Sequence, residues 1–266
     1  MTTVRKGYSD GPEGQIHWRM ATSESISNQP DLFCFSPAPF GSIAYASLLP
    51  LLAKDMRVCA PDYPGQAGSD GGSATPSIES YATSMLAVIQ DLSNQNPVNL
   101  LGFHSGCLVA AEVQRQAPQL VERVVLVDVP AFDPETRAKY LPMVGAPFEP
   151  TADLDSVSKA WEMAVSKRLE TQTLEHCLAM FADAVGNGRR MNATFHAAFT
   201  YDVEIKLSAL DAPTTVIASQ SGLLSPSRRA AAIIPNCELV EMLSVKRSVL
   251  DENARTTADA IRSALA

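Results

Sequence analysis

No apolar stretch in this sequence approaches the ~20 residues that a membrane-spanning helix needs. Residues Met1 to Gly14 are polar and charged and contain no apolar export core. Neither membrane insertion nor export is expected. A basic run is also missing. Lys+Arg 21 against Asp+Glu 29 leave a net charge of −8 at pH 7, which repels phosphate backbones, so no nucleic-acid partner is expected. The five cysteines are odd in number and dispersed without a CxxC pair, which supports neither a zinc ribbon nor a disulfide framework. His17 and His176, the latter beside Cys177, lack metal-ligand spacing to a partner. These absences describe a reduced, cytoplasmic chain with no metal.

What is present is a rhythm. Short apolar or β-branched runs at Leu32–Phe35, Arg57–Ala60, Val98–Leu101, Val124–Val127, Thr214–Ser219 and Glu238–Met242 alternate with helical patterns. That alternation is the signature of a parallel sheet wound with helices. The runs are largely continuous in apolar character rather than alternating, as suits strands covered on both faces. A helix is predicted to start at Thr75-Pro76, with Thr as N-cap and Pro at the first helical position. Its apolar face carries Tyr81, Met85, Ile89 and Leu92. Strand signals vanish between Asp133 and Asp202. Helical ones replace them at Leu154–Leu169, Leu174–Val185 and Asn192–Tyr201, with Asn187-Gly188 as a stop signal. The expected organisation is an α/β core of residues 1–132 and 203–266, with a helical cap of residues 133–202.

The most informative segment is Val98-Asn-Leu-Leu-Gly102-Phe-His104-Ser105-Gly106-Cys-Leu-Val. A strand runs into Gly-x-x-x-Gly and straight into an apolar helix. This pattern reads as a strand–turn–helix elbow whose central residue is held in strained backbone geometry. Residues two positions either side must be small, because strand and helix pass closely there.

Here the chain resembles the α/β-hydrolase superfamily. "GPEGQIHWRMA" looks like its opening hairpin, and "APDYPGQAGSD" resembles its PD-x-x-G-x-G-x-S segment with Gln66-Ala67 in place of the usual aromatic-Gly. "LLGFHSGCLVAAEVQ" resembles its nucleophile elbow, and "RVVLVDVP" the following strand. The resemblance implies an α/β-hydrolase fold, with a mostly parallel central sheet flanked by helices and a helical cap insertion. It is closest to the cap-bearing bacterial branch with a Gly-x-His-[Ser/Thr]-Gly elbow. In that family the nucleophile sits midway between the glycines, which here is His104. A rival reading makes Ser105 the nucleophile, flanked by Phe103 and Cys107, although Phe103 is bulky for that role.

The other catalytic positions of the family are also altered. In "LSVKRSVLDEN" Arg247 stands where the resemblance places the catalytic His. "VIASQSGLLSP" offers Ser221 and Gly222 in place of the acid, and Ser36-Pro37-Ala38-Pro39 replaces the oxyanion segment His-Gly-x-Pro. The degenerate triad argues for a mechanism other than the usual acyl-enzyme.

A serine nucleophile needs a base within reach and a group to orient that base. Ser105 finds neither in these loops. An imidazole on a helix N-terminus is kept neutral by the helix dipole and can serve as general base. Asp128 is expected to orient His104 through a hydrogen bond, and Arg247 to clamp a carboxylate or stabilise an enolate. The backbone N–H groups of Ser105 and Ala38 match the family's oxyanion donors. Trp161 and His196 are candidates for the pocket beneath the cap, where Met163, Met180 and Met191 are core or lining residues. Asp62 in "PDYPG" reads as structural, satisfying turn amides.

The expected function is a cofactor-free enzyme for small, largely apolar organic substrates, with His104 as general base or nucleophile, acting by ester or lactone hydrolysis, C–C cleavage or cyclisation. The alternatives are a non-catalytic ligand-binding member of the fold and an ordinary serine hydrolase using Ser105. A homodimer is a candidate assembly, since cap and edge-strand surfaces of this fold often mediate dimers.

Overall fold

A computed structural model describes residues 2–24 and 29–266. Eight strands form one sheet: β1 (Thr3–Gly11), β2 (Gly14–Thr22), β3 (Leu32–Phe35), β4 (Val58–Pro61), β5 (Val98–Phe103), β6 (Val121–Val127), β7 (Thr214–Ser219) and β8 (Cys237–Met242). Their order is β1-β2-β4-β3-β5-β6-β7-β8. β1 and β2 form an antiparallel hairpin, β2 meets β4 antiparallel, and from β4 to β8 every pairing is parallel. This is the α/β-hydrolase fold, and each of the six predicted runs falls on a strand, with Arg57 one residue before the start of β4.

The continuous apolar character of the central strands has a direct cause. Successive side chains of a strand point to opposite faces, and both faces of this sheet are covered. In β3, Phe33 and Phe35 enter the core under α2 (Ile78–Ser93) and α3 (Ser105–Gln116). Leu32 and Cys34 enter the core under α1 (Leu49–Leu52) and α10 (Ala254–Leu265). α2 starts later than Thr75-Pro76 suggests. Ser77 is its N-cap in a reciprocal capping box with Ser80, which satisfies two amides where Thr75 satisfies none.

Between β6 and β7 lie α4 (Pro134–Val144), α5 (Asp155–Trp161) running into a π-helical turn Glu162–Ser166, α6 (Leu174–Gly186), α7 (Ala193–Thr200) and α8 (Val203–Ser208). α4 escapes sequence reading because it buries no residue and carries Pro142 inside it, so no apolar periodicity marks it. Among the side chains that tie the helical segment to the loops after β3 and β4 are Asp183 and Asn187. Asp183 accepts the Gly41 N–H at 2.7 Å. Asn187 accepts the Ala67 N–H at 2.8 Å and donates to the Pro39 carbonyl at 2.9 Å. Asn187 thus ends α6 and also fixes the segment over the core.

Asp62 is buried and accepts from the Ser42 and Gly68 amides and from His17 Nδ1. These contacts match its structural reading. All five cysteines are unpaired.

Candidate active site

The sharpest backbone feature is at the junction of β5 and α3. His104 has φ 51° and ψ −121°, a combination that costs an L-residue about 1–3 kcal/mol and persists only where surroundings enforce it. Gly102 and Gly106 are what enforce it. A Cβ on Gly102 would lie 2.4 Å from Cys107 Cα, and one on Gly106 would lie 2.0 Å from the Phe35 carbonyl oxygen. No other residue fits at either position, so β3, β5 and α3 converge here and His104 is extruded at the vertex.

His104 opens into a cavity of about 570 Å³ whose lining also includes Phe40, Phe103, Asp128, Met180 and Arg247. Its ring sits 4.0 Å, centroid to centroid, from that of Phe103. Burial lowers the imidazole pKa to about 4, and the neighbouring Asp128 charge opposes that fall. The ring is therefore neutral at physiological pH. Its unprotonated nitrogen can accept a proton, and Asp128 lies where it stabilises the imidazolium that results.

Several expected contacts differ. Asp128 is fully buried beside His104, but no hydrogen bond joins them. Its two carboxylate oxygens instead accept from the Ser219 N–H at 2.7 Å and the Ser219 hydroxyl at 2.6 Å. Asp128 thus stands beside His104 as a nearby charge and does not orient it by a hydrogen bond. The Ala38 N–H is not free either; it donates to Ser105 Oγ at 2.8 Å. Ser105 is 5% exposed and absent from the cavity lining, with its hydroxyl held at the Ala38 loop. Its backbone N–H, at the first helical residue, has no intrahelical acceptor.

Ser36 is buried beneath the elbow, away from the cavity lining. Trp161 and His196 do not line this cavity. Trp161 packs edge-on against Phe181 at 5.3 Å, and the His196 backbone lies against Gly145. Arg247 does line it, from the turn between β8 and α10, together with Ser221. Met163 and Met180 line this cavity, and Met191 lines a neighbouring one of about 540 Å³.

One further pair leaves no mark in the sequence. His176, on α6, and Asp251, before α10, both line the cavity with their nearest N and O atoms 3.8 Å apart. Ser47 and Gln172 donate to the two oxygens of Asp251 at 2.8 and 2.9 Å. No local motif marks a pair 75 positions apart, so only the fold could reveal it. Among the described residues, no group of three or more His, Cys, Asp or Glu side chains is placed to hold a metal ion.

Sheet order, elbow and overlying helices together define a class, and residues 39–179 match its family: this chain belongs to the α/β hydrolase fold family. Its relatives place it among hydrolase-fold enzymes. Two of them carry the name "Putative carbamate hydrolase RutD". The one from Pseudomonas savastanoi pv. phaseolicola (strain 1448A / Race 6) is 30% identical over 213 residues, covering 75% of this chain and 80% of its own. That from Stutzerimonas stutzeri (strain A1501) is 28% identical over 203 residues, covering 72% and 74%. Among solved structures, a hydrolase from Pseudomonas aeruginosa PA01 superposes with a TM-score of 0.79 at 19% identity over 98% of both chains. The enol-lactonase from Burkholderia xenovorans LB400 gives 0.77 at 18% identity, covering 97% of this chain and 99% of its own.

Proposed function

We propose that this chain is a cofactor-free enzyme in which His104, at the family's nucleophile position, acts as a neutral general base on a small, largely apolar substrate. The single observation that carries this reading is that the strained vertex of the elbow, facing the cavity, is an imidazole. Residues 133–202 serve as the cap that roofs the cavity, and the usual triad is degenerate, with Arg247 and Ser221 in the other two places.

In the hydrolytic form of the reaction, His104 takes a proton from water as the water oxygen attacks the substrate carbonyl. The buried Asp128 charge stabilises the imidazolium, and the Ser105 N–H at the start of α3 stabilises the developing oxyanion. The proton then passes from His104 to the leaving group. Ester, lactone and carbamate carbonyls all fit this scheme; the carbamate is included because two relatives bear that name. The same base can initiate C–C cleavage or cyclisation by removing a substrate proton. The contact of the Ser105 hydroxyl with Ala38 disfavours Ser105 as nucleophile.

Turnover of nitrophenyl acetate and of a nitrophenyl carbamate tests this. His104→Ala should lose about a hundredfold or more of the turnover. Ser105→Ala, which keeps the backbone N–H, should retain most of it. Equal losses in both variants, or loss in Ser105→Ala alone, would overturn the reading.

A further inference from the structure

The cavity above His104 has a charge character opposite to that of the chain. The protein carries −8, yet Lys159, Lys167, Arg168, Lys246 and Arg247 line this one cavity against the carboxylates of Glu162, Asp251 and Asp128. Five cations against three carboxylates leave the lining net positive, and each carboxylate is engaged within the protein. Glu162 pairs with Lys167 at 2.8 Å, Asp251 lies beside His176, and Asp128 accepts from Ser219. Among the described residues Lys159, Arg168, Lys246 and Arg247 form no ion pair.

They come from two separate parts of the chain. Lys159 and Arg168 flank the π-helical turn of the helical segment, and Lys246 and Arg247 sit on the β8–α10 turn. All four are exposed, whereas His104 is half-buried and Asp128 fully buried. The cations therefore form the rim and His104 the floor. Between them the lining is apolar, with Phe40, Phe103, Leu169, Met180, Val249 and Leu250.

Resting on the reading of His104 as the reacting group, we propose that the substrate is an amphiphilic anion. Its apolar body, carrying the reacting carbonyl or acidic proton, fills the cavity toward His104. Its carboxylate or phosphate end is held at the rim by Lys246 and Arg247 on one side and by Lys159 and Arg168 on the other. Like-signed side chains lining a low-dielectric cleft raise the local concentration of the opposite charge. Arginine adds a planar fork matched to carboxylate and phosphate oxygens. Such a rim favours an anionic molecule over a neutral one with the same apolar body.

Equilibrium binding of two fluorescent probes with similar ring systems tests the assignment without any need for turnover. 8-Anilinonaphthalene-1-sulfonate carries one anionic group, and N-phenyl-1-naphthylamine carries none. Lys246→Gln/Arg247→Gln should weaken the sulfonate about tenfold, as loss of two exposed charge contacts implies, and change the neutral dye by less than about twofold. Arg5→Gln/Lys6→Gln, with the same loss of net charge on strand β1, should change neither. Displacement of the bound sulfonate by octanoate, octyl phosphate and octanol then separates the head groups: both anions should compete better than the alcohol, and the stronger of them names the end group. Equal weakening of both dyes, or equal weakening in the β1 variant, would overturn the proposal. Charge-selective binding in a protein whose turnover ignores His104 would retain this inference and sink the functional reading. Lost selectivity with His104-dependent turnover would do the reverse.

Discussion

His104 and Asp128 stand side by side at the ends of adjacent parallel strands. Phe103 and Val127 are paired in register, and the next residue on each strand turns with positive φ, 51° at His104 and 52° at Asp128. Both side chains line the same cavity, and the His104 amide donates to the Val127 carbonyl at 3.1 Å. Two strained turns thus place an imidazole and a carboxylate together, while Ser219 engages the carboxylate so that it acts through charge alone.

Removing that charge without removing its hydrogen bonds isolates its effect. In Asp128→Asn the amide oxygen still accepts from the Ser219 N–H, and the amide nitrogen donates to the Ser219 hydroxyl. The Asp128 charge raises the His104 pKa against burial, so the variant should titrate His104 below about 4 and turn over more slowly. An imidazole titration followed by NMR reads the shift directly. An unchanged His104 pKa in Asp128→Asn would show that the field of Asp128 does not reach the ring.

The depressed pKa of His104 also fixes a pH dependence of stability. The free imidazole titrates near 6.5 and the folded one near 4. Between those values the unfolded chain binds a proton that the folded chain excludes, so stability falls as pH drops from about 6.5 to about 4. Above 6.5 this group has no effect. The full contribution is on the order of 3 kcal/mol. Denaturant melts from pH 7 to pH 4.5 should show wild type losing stability more steeply than His104→Gln. Parallel curves would contradict the assignment. Turnover that depends on the neutral imidazole should rise with pH through about 4 and stay level toward neutrality.

The backbone strain at His104 predicts an inversion of the usual Gly–Ala order. His104→Ala and His104→Gly both remove the imidazole, but only glycine adopts φ 51°, ψ −121° without a Cβ penalty. The glycine variant should be the more stable by about 1 kcal/mol, despite its greater unfolded-state entropy. Thermal melts of the pair measure it. An alanine variant as stable as the glycine one would mean that the vertex is relaxed.

Much of the fold could be read from the residues because its determinants are local. Largely apolar runs marked the parallel strands, and the glycines two positions either side of His104 marked the elbow, since strand and helix meet there within a few residues. What escaped was nonlocal or unpatterned. Asp128 finds Ser219 91 positions away, and Ser105 finds Ala38 across 67. Neither preference is visible in the surrounding sequence, so Asp128 was expected to orient His104, and Ala38 to offer a free amide. His176 and Asp251 meet only because α6 folds back over the sheet. α4 buries nothing, and so left no apolar stripe to find.

Intact mass after exposure to a broad fluorophosphonate, taken on wild type, His104→Ala and Ser105→Ala alongside nitrophenyl-ester turnover, decides between His104 and Ser105 as the reacting group. With His104 as the base, the wild type forms no serine adduct and turnover disappears in His104→Ala. A wild-type adduct abolished by Ser105→Ala would contradict that role and make this chain a serine hydrolase.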